Sequence, residues 1–582
     1  MPLSSSSIHN SSYRSLFVLI PLTFFLFFFR LGSWAFFDAD EGRYGAIPRE
    51  MIINGDYVTP TLNHIEFFDK PPLLYWGIAA SYKLFGFSEA AARLVPALAA
   101  LSGVVFVWLL GRHMFNQQTG LLAAIILSTS LMWPVLARIV VTDMLVSALL
   151  FIALGFWWMG HTEIIPKKQK IFNATFWIVL ALAVLAKGPV NLVLTGGCIM
   201  LYCLLQRRFD ALKFTFYPVG IALFFVIVAP WFIIVALRNP EFNYYFWYDQ
   251  HFARFFGNSI SGADHIQGFD YFLKLIPVIL FPWSVFIPAA IFAGIKAWKQ
   301  PPSPRHRAGI FLLSIIGFIL AFYSSSSSKL ITYLLPILPP VAILLAAYFD
   351  RQLYRESQGI NAIRTMSYST FFLALLVLGG ALFAGWRGAS RAIELGVNYD
   401  LIIACNIVLM LWGLALTIVA WRHRIQELLI VVAGGFTAAL IAALFIVSSI
   451  APQFTTPLLI TYIQSGIRAG AEVDTLPFTQ SIGFYSQRRV KMLGSPSELS
   501  YGIDQLSITE RRSWVIEDTS KLEHMLLDLR LSTPAYFIVR KNKTTNEILS
   551  QLPTPPIRII ENKRFVVIGN QAAAAITPPH RP

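Results

Sequence analysis

Long apolar runs separated by short polar connections dominate this chain, and the runs show no alternation of apolar and polar positions. Continuous runs of this kind predict helices, and about 20 apolar residues are enough to cross a bilayer. The pattern predicts about thirteen membrane-spanning helices. They lie near residues 14–30, 91–110, 120–138, 144–160, 172–186, 189–205, 214–237, 271–295, 308–323, 333–349, 365–386, 401–421 and 428–450.

One long apolar stretch, near residues 172–205, is interrupted by Lys187, Gly188 and Pro189. Glycine and proline occur inside membrane helices when neighbouring groups pair the freed backbone atoms. The sequence is therefore compatible with two short helices or with one kinked helix.

The composition agrees with a membrane protein that crosses the bilayer many times. The hydrophobic fraction is 56%, the charged fraction is 13% and the mean hydropathy is +0.61. Soluble domains usually carry about 25% charged residues. All three cysteines, Cys198, Cys203 and Cys405, lie inside predicted spans, so they provide neither a disulfide framework nor the spacing of a metal site.

Basic residues cluster in alternate short loops, and such clusters stay on the cytoplasmic side of a membrane. Examples are Lys167, Lys168 and Lys170 in one loop and Arg422 and Arg424 in a later one. The N-terminus is therefore expected in the cytoplasm and the C-terminus outside it. Much of the net charge of +15 belongs to these loops, so it reflects topology and argues against nucleic-acid binding.

Three regions are predicted along the chain. Residues 1–13 form a cytoplasmic tail, 14–450 a transmembrane domain whose first extracytoplasmic loop is 31–90, and 451–582 a soluble extracytoplasmic domain. The last region has charges, turns and short β-like runs, which predict a small α/β fold. The expected strands are Ser513–Ile516, Tyr536–Val539 and Ile557–Val567, and the expected helices are Ser520–Leu529 and Thr544–Leu552.

The first extracytoplasmic loop is the most polar part of the membrane region. Asp38, Asp40 and Glu41 follow the first span, and Asp69 and Lys70 come just before two prolines. Such a loop is either a solvated connection or an active site at the membrane surface. Its density of acidic, basic and tyrosine side chains favours an active site.

Structural roles remain open for each of these acids. Asp40 and Glu41 are also suited to the first turn of a helix near 42–53, where carboxylates favour the helix dipole. Asp143, at the start of a span, is a functional candidate because it is ionisable, but it is also suited to capping that helix. The two charges before the prolines would by themselves make a surface pair of little energetic value.

Two further segments combine aromatic and charged side chains. In the loop 238–270, six aromatics precede His251, and Arg254 follows on the same face if the segment is an α-helix. Imidazole binds metals or phosphate, and guanidinium binds phosphate oxygens. Lys329 and Tyr333 lie four residues apart at the outer end of a span. Ordinary anchoring at the membrane interface is an alternative for Lys329 and Tyr333. An interfacial aromatic belt also accounts for the aromatics of the loop 238–270, but less well for His251 and Arg254.

Together these loops suit a phosphate-bearing, lipid-linked substrate. Carboxylates with a histidine suit a divalent cation, and cations suit a phosphate leaving group. No nucleotide-binding motif occurs in the sequence. Outside the cytoplasm, a sugar carried on a lipid phosphate is the natural activated donor.

The chain resembles the GT-C integral-membrane glycosyltransferases. Within that group it is similar to bacterial aminoarabinose transferases, and it is more widely related to protein O-mannosyltransferases. The resemblance covers roughly residues 15–345 and rests on five motifs. They are DADEGRYGAIPREMIINGDYV (Asp38–Val58), FFDKPPLLYW (Phe67–Trp76), AKGPV (Ala186–Val190), PEFNYYFWYDQHFARF (Pro240–Phe255) and SSSKLITYLLPILPP (Ser326–Pro340).

The resemblance implies roles for ten residues. The catalytic group is Asp40, Glu41 and Asp143. The residues expected to bind the donor and its phosphate are Tyr44, Lys70, Arg254, Lys329 and Tyr333. A divalent metal cation, whose requirement the sequence leaves open, would be bound by Asp69 and His251. The family usually has Glu where this chain has Asp69.

The implied activity is transfer of 4-amino-4-deoxy-L-arabinose or a similar sugar from undecaprenyl phosphate to lipid A. The enzyme would lie in the bacterial inner membrane and act at its periplasmic face. One alternative is a polyprenyl-phosphate-dependent transferase that modifies protein or glycan. Another is a transporter of lipid-linked sugars, although transporters place their charges near the bilayer midplane.

Overall fold

The computed structural model describes most of the chain. The described residues are 17–256, 265–298, 303–352, 360–494, 496–517, 520–530, 532–552 and 555–577, without the side chains of 296–298, 360–362, 425 and 426. The predicted cytoplasmic tail 1–13 lies outside these ranges, as does part of the predicted loop 238–270.

Among the described residues, nine helices are long and apolar enough to cross a membrane, or up to ten if one bent pair counts as a span. The nine are Glu89–Met114, Thr142–Thr162, Pro166–Lys187, Pro218–Arg238, Pro304–Ser325, Ile331–Asp350, Ile363–Glu394, Tyr399–Trp421 and Glu427–Gln453. Three shorter apolar helices are Phe17–Phe28, Gln117–Ser128 and Val190–Gln206. Every apolar segment predicted from the sequence corresponds to one of these elements, which confirms a mainly helical membrane protein.

Two predicted spans are broken by local structure. The segment near 271–295 consists of Tyr271–Ile279 and Trp283–Ile295, which meet at an angle of 106°. Pro282 lies in the break, where its missing N–H cannot continue the helical hydrogen bonds. The predicted helix 120–138 ends at Ser128, and a short helix, Met132–Leu136, follows.

The interrupted stretch near 172–205 is two helices, Pro166–Lys187 and Val190–Gln206. Gly188 separates them with a φ of +90°. This conformation favours glycine because a Cβ atom would make it strained. The break leaves Lys187 as the last residue of its helix.

The chain divides into two compact units by the density of its internal contacts. The membrane unit comprises the described parts of 1–31, 94–233 and 265–446. The loop unit comprises the described parts of 32–93, 234–264 and 447–582. The predicted first loop thus shares a unit with the C-terminal region.

The loop unit begins with helix Asp40–Asn54, which confirms the helix predicted near 42–53. A two-stranded hairpin follows, β1 (Thr61–Leu62) and β2 (Ile65–Glu66), and then helix Leu73–Phe85. The buried carboxylate of Glu50 accepts hydrogen bonds from the backbone N–H groups of Asn63 and His64, at 2.7 and 3.0 Å. Those bonds fix the hairpin on the first helix.

A six-stranded mixed sheet lies at the centre of the C-terminal region. Its strands are β3 (Glu472–Leu476), β4 (Lys491–Leu493), β5 (Val515–Ile516), β6 (Ala535–Arg540), β7 (Ile557–Glu561) and β8 (Phe565–Gly569), in the order β5-β4-β3-β6-β8-β7. Neighbours from β5 to β6 are parallel, whereas β8 is antiparallel to β6 and β7. The described helices of this region are Pro457–Tyr462, Gln464–Arg468, Ser481–Ser486, Ser500–Gln505, Ile508–Trp514, Lys521–Arg530, Lys543–Ser550 and Gln571–Ile576.

This arrangement confirms the mixed helix-and-strand content predicted for the region. The prediction of a strand over Ser513–Ile516 is only half right, because helix Ile508–Trp514 occupies its first two residues. The strands β3 and β4 were not predicted, and the single run predicted over Ile557–Val567 is two antiparallel strands, β7 and β8. The core of the sheet includes Leu476, Phe537 and Met525, all at most 2% exposed.

Candidate functional site

Arg43 is the central cation of the loop unit. Its Nη1 lies 2.8 Å from Glu498 Oε2, and its Nη2 donates to Asp40 Oδ1. Burial acts to lower the pKa of Arg43, but Glu498, Tyr44, Asp40 and Asp69 together raise it above its usual value. Arg43 is therefore a permanent positive charge that joins the first-loop acid Asp40 to the C-terminal region.

Asp40 lies in the first turn of helix Asp40–Asn54 and keeps 60% of its side chain exposed. The N-cap position belongs to Ala39, and no described side chain caps the helix. Asp40 thus has an exposed carboxylate that is not used for capping.

Glu41 is buried and forms a two-point ion pair with Arg93. Its two carboxylate oxygens lie 2.8 Å from Arg93 Nε and Nη2. Arg93 Nη1 also donates to the carbonyl of Trp34 at 2.7 Å. A buried bidentate pair holds its neighbours rigidly. The geometry makes Glu41 a support for the loop that carries Asp40.

Asp69 is surrounded by cations and a phenol. Tyr245 donates to Asp69 Oδ1 at 3.0 Å, and Lys70 Nζ lies 3.8 Å from Asp69 Oδ2. Burial acts to raise the pKa of Asp69, but Lys70, Arg254 and Arg43 outweigh it and lower that pKa below its usual value. Asp69 is therefore ionised at neutral pH, and three cationic side chains act on it.

The segment Tyr244–Ala253 is a π-helix, in which residues five apart lie on one face. A relay of three hydrogen bonds runs along it to Asp69. Arg254 Nη1 donates to Gln250 at 3.1 Å, Gln250 donates to the Tyr245 hydroxyl at 2.9 Å, and Tyr245 donates to Asp69. The i,i+5 period aligns Tyr245 with Gln250.

His251 follows the same period. Its Nδ1 lies 2.6 Å from the carbonyl of Phe246, five residues earlier, so a metal would have to bind through Nε2. Asp69 and His251 are not part of any group of three metal-ligating side chains within the described ranges. The residues offer one carboxylate and one imidazole, fewer than the three protein ligands of most catalytic zinc sites.

Tyr44 and Tyr75 form a stacked pair beside Arg43. Their ring centroids are 6.0 Å apart, and the guanidinium of Arg43 lies 5.4 Å from the centre of the Tyr44 ring. Tyr75 is fully buried, and its hydroxyl has no hydrogen-bond partner among the residues that the structure describes. Burial raises the pKa of Tyr75 well above its usual value, so the phenol is neutral.

A second cluster lies in the membrane unit. Asp143, in the first turn of helix Thr142–Thr162, pairs with Lys187 at 2.5 Å. The Lys187 Nζ lies 4.7 Å from the centre of the Tyr333 ring, which stacks on Tyr323. The helix break at Gly188 places Lys187 at this position.

Lys329 is 4% exposed and contacts backbone carbonyls. Its Nζ donates to Gln267 O at 2.9 Å and to Ser326 O. Its backbone N–H donates to His265 O at 2.9 Å. These bonds tie the segment after helix Pro304–Ser325 to the segment around residue 266. The geometry shows Lys329 as a support of this loop.

The ten residues predicted for the site thus fall into two sets. Seven lie in the loop unit, namely Asp40, Glu41, Tyr44, Asp69, Lys70, His251 and Arg254. Three lie in the membrane unit, namely Asp143, Lys329 and Tyr333. Within the loop unit, Asp69, Lys70 and Arg254 are brought together, and Asp40 joins them through Arg43.

Sequence reasoning missed several residues that organise these clusters. They are Arg43, Tyr75, Lys187, Tyr245, Gln250 and Glu498. Arg43 and Lys187 lie inside two of the five motifs quoted above, so their positive charge could have identified them from the sequence. Glu498 lies 455 residues from its partner Arg43, and no local pattern identifies it.

Asp38 links the first loop to the C-terminal region. Its Oδ1 and Oδ2 accept hydrogen bonds from the backbone N–H and the hydroxyl of Ser481, at 2.7 and 2.5 Å. Burial raises the pKa of Asp38 to about 6, although Ser481 and Arg564 act against that rise.

Known proteins resemble this chain along most of its length. Residues 69–234 match the family model of dolichyl-phosphate-mannose-protein mannosyltransferases. The undecaprenyl phosphate-alpha-4-amino-4-deoxy-L-arabinose arabinosyl transferase of Pectobacterium atrosepticum is 26% identical over 95% of this chain and 97% of its own length. The protein of the same name from Erwinia tasmaniensis is 29% identical over 63% of this chain and 64% of its own length, which is a little under two thirds.

Among solved structures, ArnT from Cupriavidus metallidurans bound to undecaprenyl phosphate has a TM-score of 0.80 and is 23% identical. The match covers 97% of this chain and 99% of that one. The apo state of that protein has a TM-score of 0.79. The resemblance inferred from the sequence motifs is therefore confirmed: the chain has the GT-C fold and is similar to the aminoarabinose transferases and, more distantly, to the protein mannosyltransferases.

Proposed function

We propose that this protein transfers 4-amino-4-deoxy-L-arabinose from undecaprenyl phosphate to lipid A. The observation that carries the proposal is the cluster of Lys70, Arg254 and Arg43 around the ionised Asp69. Three cations at one point suit a phosphate whose charge grows as its bond to the sugar breaks. The relatives named above supply the identity of the donor and the sugar.

In the proposed reaction, the bond between the anomeric carbon and the donor phosphate oxygen breaks. Undecaprenyl phosphate leaves with the electron pair, and an oxygen of a lipid A phosphate forms the new bond to that carbon. A phosphate acceptor is already ionised near neutral pH, so it needs positioning more than deprotonation. Lys70 and Arg254 would stabilise the leaving group, and Tyr44 would lie beside the donor.

Asp40 is the carboxylate that we assign to the reacting sugar, because it is exposed and held on one side by Arg43. It would stabilise positive charge on the sugar, or bind its amino group. Glu41 and Lys329 bind partners that fix the loops, so we assign them to support. Asp143, with Lys187 and Tyr333, is a second proposed substrate-binding cluster.

A divalent cation is a further part of the proposal. Asp69 and the Nε2 of His251 would hold it, and it would supply Lewis-acid stabilisation of the phosphate when bound. Since the pair is short of ligands, phosphate oxygens would have to complete the coordination. Treatment of the purified enzyme with a chelator should then lower turnover, and added Mg²⁺, Mn²⁺ or Zn²⁺ should restore it. Unchanged turnover after complete metal removal would contradict the proposed divalent cation, but not the proposed sugar transfer.

The topology is proposed together with the function. The three shorter apolar helices and the bent pair would also span the inner membrane, which gives the thirteen crossings expected from the sequence. The N-terminus would lie in the cytoplasm and the region 451–582 in the periplasm. A phosphatase that is active only in the periplasm, fused to the C-terminus, should be active. An inactive fusion with full expression would contradict this orientation.

The function is tested by lipid A mass spectrometry. The protein is expressed in a Gram-negative cell that makes the undecaprenyl-linked donor but lacks its own transferase. Lipid A should gain the mass of an aminopentose. Unmodified lipid A, at normal protein levels, would contradict the proposal. Sugar found instead on protein or glycan would favour the alternative acceptors.

A further inference from the structure

A group of three metal-ligating side chains lies in the C-terminal region, apart from the residues assigned to the reaction. Asp474 lies on β3, one of the two central strands of the sheet, and His524 and Asp528 lie on helix Lys521–Arg530. One ligand atom from each residue lies within 4.8 Å of the other two. His524 and Asp528 are four residues apart, so they share one face of the helix.

The hydrogen bonding of this group is incomplete. His524 Nε2 lies 3.1 Å from Asp474 Oδ2 and also 3.1 Å from Asp528 Oδ2. A ring nitrogen carries at most one hydrogen, so it cannot make a full hydrogen bond to both carboxylates. The hydrogen bond of His524 Nε2 goes to Asp474 Oδ2, which leaves Asp528 Oδ2 and Asp474 Oδ1 without hydrogen-bond partners among the described residues. Buried polar atoms of this kind are uncommon and point to a missing partner.

The two carboxylates are also deeply buried. Asp474 is 1% exposed and Asp528 is 6% exposed. On the neighbouring strand β4, Lys491 lies opposite Asp474, and its Nζ pairs with Glu472 at 2.5 Å. Two carboxylates buried beside a single imidazole are costly to desolvate, and one divalent cation bound by all three side chains would balance both carboxylates.

We propose that Asp474, His524 and Asp528 bind one first-row divalent cation, with Zn²⁺ as the best fit. Imidazole and carboxylate together suit zinc, which often takes three protein ligands and one water. Ligand atoms about 2.1 Å from a tetrahedral ion lie a little over 3 Å from one another. His524 Nε2 lies 3.1 Å from each carboxylate, and all three ligand atoms lie within 4.8 Å of one another. The ion would join β3 to helix Lys521–Arg530 and so stabilise the soluble region.

The test counts metal in the full-length protein in detergent micelles. His251→Gln serves as the parent, because it removes the imidazole of the other proposed metal site. After dialysis against a chelator, Zn²⁺ is returned at micromolar free concentration, and bound zinc is measured by elemental mass spectrometry. The His251→Gln parent should bind about one zinc per chain. When the His524→Gln substitution is introduced into that parent, its affinity for zinc should fall by at least about 100-fold.

Asp504→Asn, an exposed substitution in the same region, is the matched control and should leave zinc binding unchanged. If the parent binds no zinc, or if His524→Gln binds as much as the parent, the proposal is wrong. His524 would then be a protonated bridge between two carboxylates. If the His524→Gln variant does not fold, Co²⁺ is added to the His251→Gln parent in place of Zn²⁺ and its visible absorption is measured. The bands of Co²⁺ with a low coordination number and nitrogen and oxygen ligands are expected. The spectrum of aqueous Co²⁺ alone would overturn the proposal.

Discussion

Arg43 Nη1 and Glu498 Oε2 lie 2.8 Å apart and form an ion pair between the first-loop helix and the C-terminal region. Their side chains are 13% and 20% exposed, so solvent screens the pair only in part. Glu498 also accepts a hydrogen bond from Gln480. The pair therefore holds the guanidinium in its position beside Asp40 and Tyr44.

Glu498→Gln should destabilise the protein and lower its activity, because Arg43 loses its main counter-charge. The cost of breaking a fully buried pair is about 3–5 kcal/mol, and partial exposure reduces it here to about 1–3 kcal/mol. Thermal unfolding in detergent and donor turnover measure the two effects. Asp504→Asn breaks an exposed pair with Arg511 and should cost less than about 1 kcal/mol. Equal effects of both variants would contradict the role of Glu498.

Lys70→Ala and Arg254→Ala should each lower turnover by about 10²-fold or more, because each removes a charge that stabilises the leaving phosphate. Lys83→Ala is the control for loss of a lysine in the same unit, since Lys83 lies on helix Leu73–Phe85 and its Nζ contacts the Tyr57 ring, at 4.8 Å from the ring centre. Single-turnover rates with purified donor measure the effect. Rates of the wild type in both variants would exclude the assigned roles.

Tyr75→Phe should leave stability unchanged or slightly higher, because the buried Tyr75 hydroxyl has no hydrogen-bond partner among the described residues. If the hydroxyl meets the donor, the KM for the donor rises while the fold is intact. Tyr82→Phe is a matched comparison, since Tyr82 donates to the carbonyl of Gly45 at 3.2 Å and its loss should destabilise. An unchanged KM in Tyr75→Phe would make Tyr75 a packing residue.

The pH dependence of stability tests Asp38. The pKa of Asp38 is raised from 3.8 to about 6 in the folded protein, so the folded state binds more protons than the unfolded state between those values. Its contribution to stability is therefore greatest below about pH 4 and is lost as the pH rises to about 6. Melting curves of wild type and Asp38→Asn, measured from about pH 4 to about pH 8, should differ by an amount that changes mainly in the acidic part of that range. A difference in stability that stays constant over this pH range would contradict the raised pKa of Asp38.

How far the sequence predicts this molecule depends on the range of each interaction. Hydrophobicity is a local property, so all the apolar segments could be located from it. The helix that begins at Asp40 was located from the acidic residues of its first turn. The pairing of Arg43 with Glu498 depends on contacts between distant parts of the chain and could not. The π-helix at Tyr244–Ala253 also could not, and it is what places Gln250, and not His251, in the relay from Arg254 to Asp69.

The final prediction concerns Asp40. Ala39 occupies the N-cap position, so Asp40 does not cap the helix, and the structural role that competes with catalysis is a favourable interaction of its first-turn carboxylate with the helix dipole. Asp40→Asn removes the charge but keeps the size and a hydrogen-bond acceptor for Arg43. Because the Asp40 side chain is 60% exposed, stability should change by less than about 1 kcal/mol.

Turnover of Asp40→Asn should fall by about 10²-fold or more, as expected when a carboxylate stabilises charge that develops on the reacting sugar. In a cell whose lipid A modification depends on this protein, the variant should leave lipid A unmodified at normal protein levels. Full modification would show that Asp40 only positions Arg43. The carboxylate of the reaction would then have to be Asp143, whose charge Lys187 already holds in place in the membrane unit.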